Sequence, residues 1–221
     1  MELVISILGW AAALIGAVTT LPQLIKILRS GTTAGISLTN FQLLLANFIA
    51  WVGHGVIMAR PYFWLTNACL LVINIVILRK IIVHRVLNPV TPWIMGTIIG
   101  FALIGVDLWS HVAFGVLVLF PQGFGALAQV IDIARKIDIS GLSGLYIFIS
   151  FFIQLLWLIW ALLARDTAVI MAASVQGSIA LVAFLWLVAR NFGASPIFPI
   201  DNQAPAVQIE VPARGSARVG A

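Results

Sequence analysis

Long apolar runs fill almost the whole sequence, and they constrain the fold more than any other feature. An α-helix rises about 1.5 Å per residue, so about 20 apolar residues cross a hydrocarbon core about 30 Å thick. Breaks at charged residues and at clusters of Pro, Gly and Asn divide the chain into seven runs of this length. The sequence therefore predicts seven transmembrane helices, near residues 3–28, 38–59, 62–83, 92–109, 111–134, 142–164 and 167–189.

The boundary between the fourth and fifth runs is the least marked of the six. Only the stretch "DLWSH", from Asp107 to His111, indicates a turn there. The alternative is a chain of six spans, in which one long tilted helix replaces these two.

Composition excludes an ordinary soluble domain. The chain is 62% hydrophobic and 9% charged, whereas soluble domains carry about 25% charged residues. Cys69 is the single cysteine, so no disulfide forms within the chain. The N-terminal "MELV" carries Glu2 and no positive charge, which favours a retained first span over a cleaved signal peptide.

Basic residues predict the orientation. In a seven-span chain, one side holds most of them: Lys26, Arg29, Arg79, Lys80, Arg85, Arg135, Lys136, Arg190, Arg214 and Arg218. The other side holds Arg60 and Arg165. The positive-inside rule therefore places the N-terminus outside and the C-terminus in the cytoplasm of a multi-pass cell-membrane protein. The net charge of +5 lies mostly at the ends of apolar runs, so it indicates membrane anchoring and not a nucleic-acid partner.

An internal repeat is visible when the chain is shifted by 106 residues. The shift aligns "LPQLIKILRSGTTAGIS" with "LAQVIDIARKIDISGLS". Identical pairs include Gln23 and Gln129, Arg29 and Arg135, Gly35 and Gly141, Ser37 and Ser143, and Trp51 and Trp157. Shared apolar composition does not explain why these residue types keep one register. A second literal "PQ", at Pro121 and Gln122, lies seven residues too early and is interpreted as a coincidence.

The repeat predicts the domain organisation. Residues 1–83 form a first three-helix unit, 84–110 a linker helix, 111–190 a second three-helix unit, and 191–221 a disordered cytoplasmic tail. An odd number of linker helices leaves both units in the same orientation, as in parallel transporter repeats. The predicted fold is an all-α integral membrane protein with a three-plus-one-plus-three arrangement.

The motif at the first repeat resembles the PQ-loop superfamily. The resemblance rests on "LPQ", the following basic and glycine positions, "GIS", a tryptophan in the second span and "LTN" in the third. The parallel layout is similar to the sugar-facilitator, or SWEET, branch. This resemblance implies a hinge at Pro22 and Gln23, with Gln129 as its counterpart in the second repeat, where Ala128 replaces the proline. A static kink is the alternative reading of Pro22.

Polar residues within the predicted spans are the candidates for a binding site. Asn47, Trp51 and His54 share one stripe of the second span, and Asn67 and Asn74 share one face of the third. The family resemblance implies that two tryptophans and one asparagine per repeat surround the substrate. The predicted substrate-binding residues are Trp51, Asn67, Trp157, Ser174, Asn74 and Gln176, with Ser174 replacing the second asparagine. For each polar residue the alternative is a hydrogen bond that joins two helices.

The ionisable residues give weaker signals. His54 is a candidate outer gate or a residue that reaches the membrane interface, and Asp107 and His111 are expected to be solvated in the turn after the fourth span. The three histidines lack metal-ligand spacing, so neither a metal nor another cofactor is predicted. No charged residue lies in the middle of a predicted span, which favours downhill movement over proton coupling.

The sequence therefore predicts a facilitative transporter of a small neutral polar solute, with a sugar as the preferred class, and not an enzyme. A PQ-loop transporter of amino acids or other solutes is a second reading, which normally requires an intramembrane acid. A cargo receptor or scaffold without transport is the alternative from another class. The expected partners are the solute, the lipid bilayer and, where it forms, a second copy of the chain.

Overall fold

The computed structural model describes residues 1–29, 37–139 and 144–200, without the side chains of 19–24 and 26–28. The described residues form eight helices: α1 (Glu2–Arg29), α2 (Leu38–Ile57), α3 (Pro61–His84), α4 (Thr91–Trp109), α5 (His111–Leu117), α6 (Leu119–Arg135), α7 (Gly144–Ala164) and α8 (Thr167–Asn191). Six helices in the described part are long and apolar enough to cross a membrane when α5 and α6 are taken as one helix from His111 to Arg135. The chain is a multi-pass membrane protein.

The turn between α4 and α5 confirms the boundary predicted at "DLWSH". Ser110 has an extended backbone, with φ of −157° and ψ of 113°, and its side chain accepts a hydrogen bond from the amide of Ala113. A serine in this position caps a new helix because it satisfies one of the free N–H groups of the first turn. The one continuous helix that the alternative places here is therefore wrong.

The helices pack in the same order in both parts of the chain. In the N-terminal part, α3 contacts both α1 and α2. In the C-terminal part, α8 contacts α7 and both α5 and α6. The two parts meet where α1 contacts α7 and where α2 contacts α6, and α4 packs on α2 and α5.

Small residues bring α4 close to α2. A Cβ added at Gly100 would lie 2.8 Å from the Cβ of Ile49 and 3.1 Å from the carbonyl oxygen of Ala46. Small residues drive helix association in membranes because lipid supplies no hydrophobic force between helices. The side-chain amide of Gln42 adds a bond across the same contact, 2.8 Å from the carbonyl oxygen of Pro92.

One end of the bundle contains the three short connections around Arg60, Ser110 and Arg165, together with the start of α1; we call it the short-turn end. The largest buried cluster lies toward this end and includes Trp51, Phe63, Phe114 and Trp160. Every described helix except α6 contributes a buried apolar side chain to this cluster. The short-turn end is therefore the tightly packed end of the described structure.

The segment after α8 differs from the predicted disordered tail. Ile197 and Ile200 donate backbone hydrogen bonds to the carbonyl oxygens of Ala134 and Arg135, over 2.7 Å and 2.8 Å. The guanidinium of Arg190 donates to the carbonyl oxygens of Ile133, Lys136 and Ile137. These bonds satisfy carbonyls that the end of α6 would leave free, so the chain is held to α6 as far as residue 200. Residues 201–221, the rest of the predicted tail, lie outside the described residues.

Candidate functional site

A chamber of about 210 Å³ lies between the N-terminal and C-terminal helices. Its walls come from α1, α2, α3, α6, α7 and α8, and the lining residues of α1 are all small: Ala12, Ala13, Gly16 and Ala17. The polar and aromatic lining residues are Asn47, Trp51, Phe63, Thr66, Asn67, Gln122, Gln154 and Trp157. None of the described lining residues is ionisable. The chamber therefore offers amides, one hydroxyl and two indoles to a solute, with no fixed charge.

Three of the amides differ in the hydrogen bonds that they already form within the protein. The Oδ1 atom of Asn47 is buried and has no hydrogen-bond partner among the described residues. Asn67 donates from Nδ2 to the carbonyl oxygen of Phe63, over 2.9 Å, within its own helix. Gln122 accepts a bond of 3.1 Å from the indole Nε1 of Trp51. A buried acceptor without a partner is costly, so Asn47 is the group with most to gain from a bound donor.

The lining residues show the same 106-residue offset as the sequence repeat. Ten of them form five pairs: Gly16 with Gln122, Trp51 with Trp157, Phe63 with Val169, Thr66 with Ala172, and Asn67 with Ala173. Both members of each pair reach the chamber, although only the tryptophans are identical. Each amide in these pairs stands opposite a small residue, Gly16 or Ala173.

The chamber includes some predicted binding residues and not others. Trp51, Asn67 and Trp157 line it. Ser174 is exposed and is not among the chamber's lining residues; it lines a second cavity of about 170 Å³, which shares Gln154 and Ala173 with the chamber.

Asn74 and Gln176 are buried outside the chamber lining. Asn74 lies near the middle of α3, where its Nδ2 donates to the carbonyl oxygen of Phe41 over 3.1 Å. Gln176 has an Nε2 atom without a hydrogen-bond partner among the described residues, 3.9 Å from the Cβ position of Gly123. Asn74 joins two helices, which is the alternative that its sequence position left open.

Gln122 and Gln154 are lining residues that the sequence does not single out. Gln122 belongs to the second "PQ", which the repeat register sets aside because it lies opposite Gly16 and not opposite Gln23. That same offset places Gln122 on the face of α6 that matches the chamber face of α1. Because the aligned residue is a glycine, the repeat gives no side-chain signal that would single out Gln122.

The predicted hinge residues lie in helical segments. Pro22 and Gln23 fall within α1, which runs from Glu2 to Arg29, and their side chains lie outside the described part. Gln129 lies in α6 and is half-buried. The hinge remains a prediction.

A cluster of ionisable side chains lies at the short-turn end, above the chamber. The Nδ1 atom of His54 is 2.8 Å from Oδ2 of Asp107, and its Nε2 atom is 3.0 Å from Oδ2 of Asp166. His111 Nδ1 lies 2.7 Å from the other oxygen of Asp107. The side chains of His54, Asp107 and Asp166 are at most 2% exposed. We call these four residues the His54 cluster.

The cluster corrects two expectations. Asp107 is buried and not solvated, because the last turn of α4 packs against α2 and α5. His54 is buried and does not reach the membrane interface. The sequence places His54, Asp107 and Asp166 at the ends of separate apolar runs, and only the packing of those ends shows that they meet.

The distances in the cluster are those of hydrogen bonds. The ring nitrogen and carboxylate oxygen atoms of His54, Asp107 and His111 that could bind a metal ion all lie within 4.8 Å of one another. Two ligands of a tetrahedral zinc ion are about 3.3 Å apart, whereas the pairs here are 2.7 Å and 2.8 Å apart. Asp166 also occupies the second ring nitrogen of His54. The geometry therefore favours a hydrogen-bonded cluster.

Aromatic rings close the space between the cluster and the chamber. The ring of His54 stacks on Phe114, with centroids 5.1 Å apart and planes at 10°. Trp51 packs edge-on against both rings. Phe63 contacts Trp157 from the other half, with centroids 4.9 Å apart. At its short-turn end, the chamber is covered by side chains from α2, α3, α5 and α7.

Three side-chain hydrogen bonds join the N-terminal helices to the C-terminal helices in this region. They are Trp51 to Gln122, His54 to Asp166, and Trp160 Nε1 to the hydroxyl of Tyr62, which is 3.2 Å long. The first bond lies in the chamber lining and the second in the His54 cluster, and Trp160 of the third packs against Phe63 of the aromatic cover.

Comparison with known proteins gives one family match. Residues 4–58 match the family model described as the PQ loop repeat. No curated protein matches the chain. The matched residues span α1 and α2, which supply Gly16, Asn47 and Trp51 to the chamber. The first two helices of the chain are therefore similar to a PQ loop repeat.

Proposed function

We propose that this protein transports a small neutral polar solute, with a sugar as the preferred class, by alternating access. The observation that carries the proposal is the chamber between the two sets of helices, with amides and two indoles on its walls and no ionisable side chain among its described lining. Amides both donate and accept, which matches hydroxyl groups. Indole faces suit the apolar face of a sugar ring.

The proposed architecture is two parallel three-helix repeats joined by α4. Three observations support it: the 106-residue offset in sequence, the same offset between residues that line the chamber, and the position of α3 and α8 between the other helices of their units. In parallel-repeat transporters, the solute site lies at the interface between repeats.

The uncharged chamber favours a neutral solute over an amino acid or an organic cation. Asp107 and Asp166 are buried, although they lie at helix ends and not in the middle of a span. However, both carboxylates bond to His54 and neither belongs to the chamber lining. A charged solute group in the chamber would have no opposite charge to pair with.

In the proposed cycle, the short-turn end faces the outside, and the His54 cluster with its aromatic cover forms the outer gate. The distribution of basic residues supports this orientation. Opening this gate requires separation of the two halves and breaks the three crossing hydrogen bonds. Pro22 is the proposed hinge, because a proline removes one backbone hydrogen bond of α1 and weakens the helix locally.

Uptake into proteoliposomes tests the function. A panel of radiolabelled neutral sugars and neutral amino acids should include at least one sugar that equilibrates across the membrane. We expect Asn67→Ala to abolish this uptake, because the variant removes an amide of α3 from the chamber lining. Ser174→Ala is the matched control and should keep uptake, because Ser174 lines the other cavity. Absence of uptake for every sugar would contradict the sugar assignment.

A further inference from the structure

We propose that His54 is a proton-binding site whose proton holds the short-turn end closed, so that the pH on that side controls access to the chamber. The inference rests on the proposed function for its consequence in transport. The binding site itself rests on the geometry of the His54 cluster alone.

The position of His54 makes it a bridge between separate parts of the fold. It lies in α2, one turn before the helix ends, and bonds to Asp107 at the end of α4 and to Asp166 just before α8. Asp166 belongs to the C-terminal half and Asp107 to the connecting helix. Any separation of α2 from α8 must therefore lengthen the His54 to Asp166 bond.

Both ring nitrogens of His54 face carboxylate oxygens, and this fixes the number of protons. A neutral imidazole has one N–H donor and one lone pair, whereas the protonated ring has two donors. Only the protonated ring donates to Asp107 and Asp166 at once while both are ionised. When the second proton leaves to water, one nitrogen lone pair faces a carboxylate lone pair, and two buried carboxylates share a neutral partner.

The other groups around His54 leave it as the central proton acceptor. His111, in α5, bonds to the second oxygen of Asp107 and is 42% exposed. The second oxygen of Asp166 accepts the amide of Val169, as the N-cap of α8. The rings that touch His54 from α3 and α5 are Phe63 and Phe114, which do not titrate, and the titratable ring of His111, whose centroid lies 5.9 Å from that of His54.

The cluster is in contact with the chamber through Trp51 and Phe63, which both line the chamber and both touch the His54 ring. Trp51 lies one turn from His54 on α2, and their ring centroids are 5.4 Å apart. The same indole lines the chamber and donates to Gln122. Movement of α2 away from α8 would therefore open the cluster and the chamber cover together.

The sign of the pH effect follows from these bonds. At low pH, His54 is doubly protonated and the closed state has both charge-assisted hydrogen bonds. As pH rises and the proton leaves, one of these bonds is lost and the closed state becomes less stable. Loss of one charge-assisted bond corresponds to about a tenfold or larger change in the open-to-closed ratio.

The distance between two spin labels at the short-turn end tests the proposal without any solute. The labels replace Val56 and Thr167, which are exposed and lie outside the cluster, in a chain in which Cys69 is changed to Ser. Pulsed electron paramagnetic resonance then gives the α2-to-α8 distance in lipid nanodiscs at about pH 6 and about pH 10. These two values lie on either side of the ordinary histidine pKa. We expect one short distance at low pH and an added longer distance at high pH.

Asp166→Asn is the matched variant. Asparagine caps a helix as well as aspartate does, and its amide pairs with either protonation state of histidine. We expect D166N to fold and to give the same distances at both pH values, as should H54Q. His111→Gln should keep the pH response, because His111 does not contact Asp166. If the unaltered cluster stays closed at both pH values, the same pair is measured with Tyr62→Phe, which removes the Trp160 bond and brings the two states closer in energy.

Several outcomes would overturn the proton site. The first is a distance that does not change with pH either in the unaltered cluster or with Tyr62→Phe. The second is an equal pH response in D166N, and the third is opening that follows micromolar zinc and not pH. The last outcome would identify a metal site. A pH-dependent distance in a protein that takes up no solute would leave the proton site intact and reject the proposed transport, so the two failures are distinguishable.

Discussion

At the scale of single residues, the amides of the chamber differ in whether the fold needs them. Asn67 and Gln122 each make a hydrogen bond inside the protein, whereas Oδ1 of Asn47 is buried without a partner among the described residues. A protein group that lacks its own partner costs stability and is useful only when a ligand supplies the missing bond. Asn47 is therefore the residue at which solute binding and protein stability separate most clearly.

We predict that Asn47→Ala lowers solute affinity about five- to tenfold, the effect of losing one hydrogen bond. The melting temperature of the empty protein in detergent should change little, because no bond to Oδ1 is lost. Gln42→Ala is the matched control in the same helix. It removes a 2.8 Å bond to Pro92 outside the chamber, so it should lower the melting temperature and leave affinity unchanged. The reverse pattern would contradict the assignment of Asn47.

The sequence predicts part of this residue-scale account. Trp51 and Trp157 could be predicted because the repeat keeps the same residue type in the same register. Asn67 could be predicted because an amide in an apolar run has few roles. Gln122 could not be predicted, because the repeat aligns it with Gly16 and a glycine has no side chain to indicate a role. The His54 cluster could not be predicted, because its contacts join residues 53 and 112 positions apart in the sequence. They depend on how three helix ends converge.

At the scale of elements, the ends of helices are where sequence and structure agree best. Ser37, Ser110 and Asp166 accept hydrogen bonds from the first turns of α2, α5 and α8, and each lies at or next to a predicted boundary. These caps are local, so they can be read from neighbouring residues. The position of the segment after α8 depends on bonds to α6, more than 50 residues away, and local patterns gave no indication of it.

Close contact between α5 and α8 leads to a second prediction. A Cβ at Gly115 would lie 2.6 Å from the carbonyl oxygen of Ala168, which is backbone and cannot turn aside. Gly115→Ala should therefore separate these helices and lower the free energy of unfolding by about 1–3 kcal/mol. It should also move Asp166 away from His54, because Asp166 lies directly before α8.

Gly105→Ala is the control for this prediction. A Cβ at Gly105, in α4, meets nothing within 4 Å, and alanine is the better helix former. Its melting temperature in detergent should equal or exceed that of the unaltered protein. Equal melting temperatures for G115A and G105A would show that α5 and α8 are not held at the distance described.

At the scale of the whole molecule, the account requires two halves that move against each other around one uncharged chamber. The crossing hydrogen bonds, the aromatic cover and the His54 cluster all lie at the short-turn end, so the described conformation is closed there. Fold class was predictable because hydrophobic run length determines transmembrane helices. The sequence did not predict which polar groups of one half face those of the other, because this depends on the rotation of each helix within the bundle.

Photochemical labelling of the solute's binding site tests the central claim most directly. A diazirine derivative of a sugar that the proteoliposomes take up is irradiated with the purified protein, and modified residues are located by mass spectrometry. The account predicts labels between Ala12 and Ala17, between Phe63 and Leu70, and between Val169 and Ala173, all reduced by excess unlabelled sugar. Competed labels confined to Phe151, Leu155, Ser174 and Ser178, which line the other cavity, would contradict it.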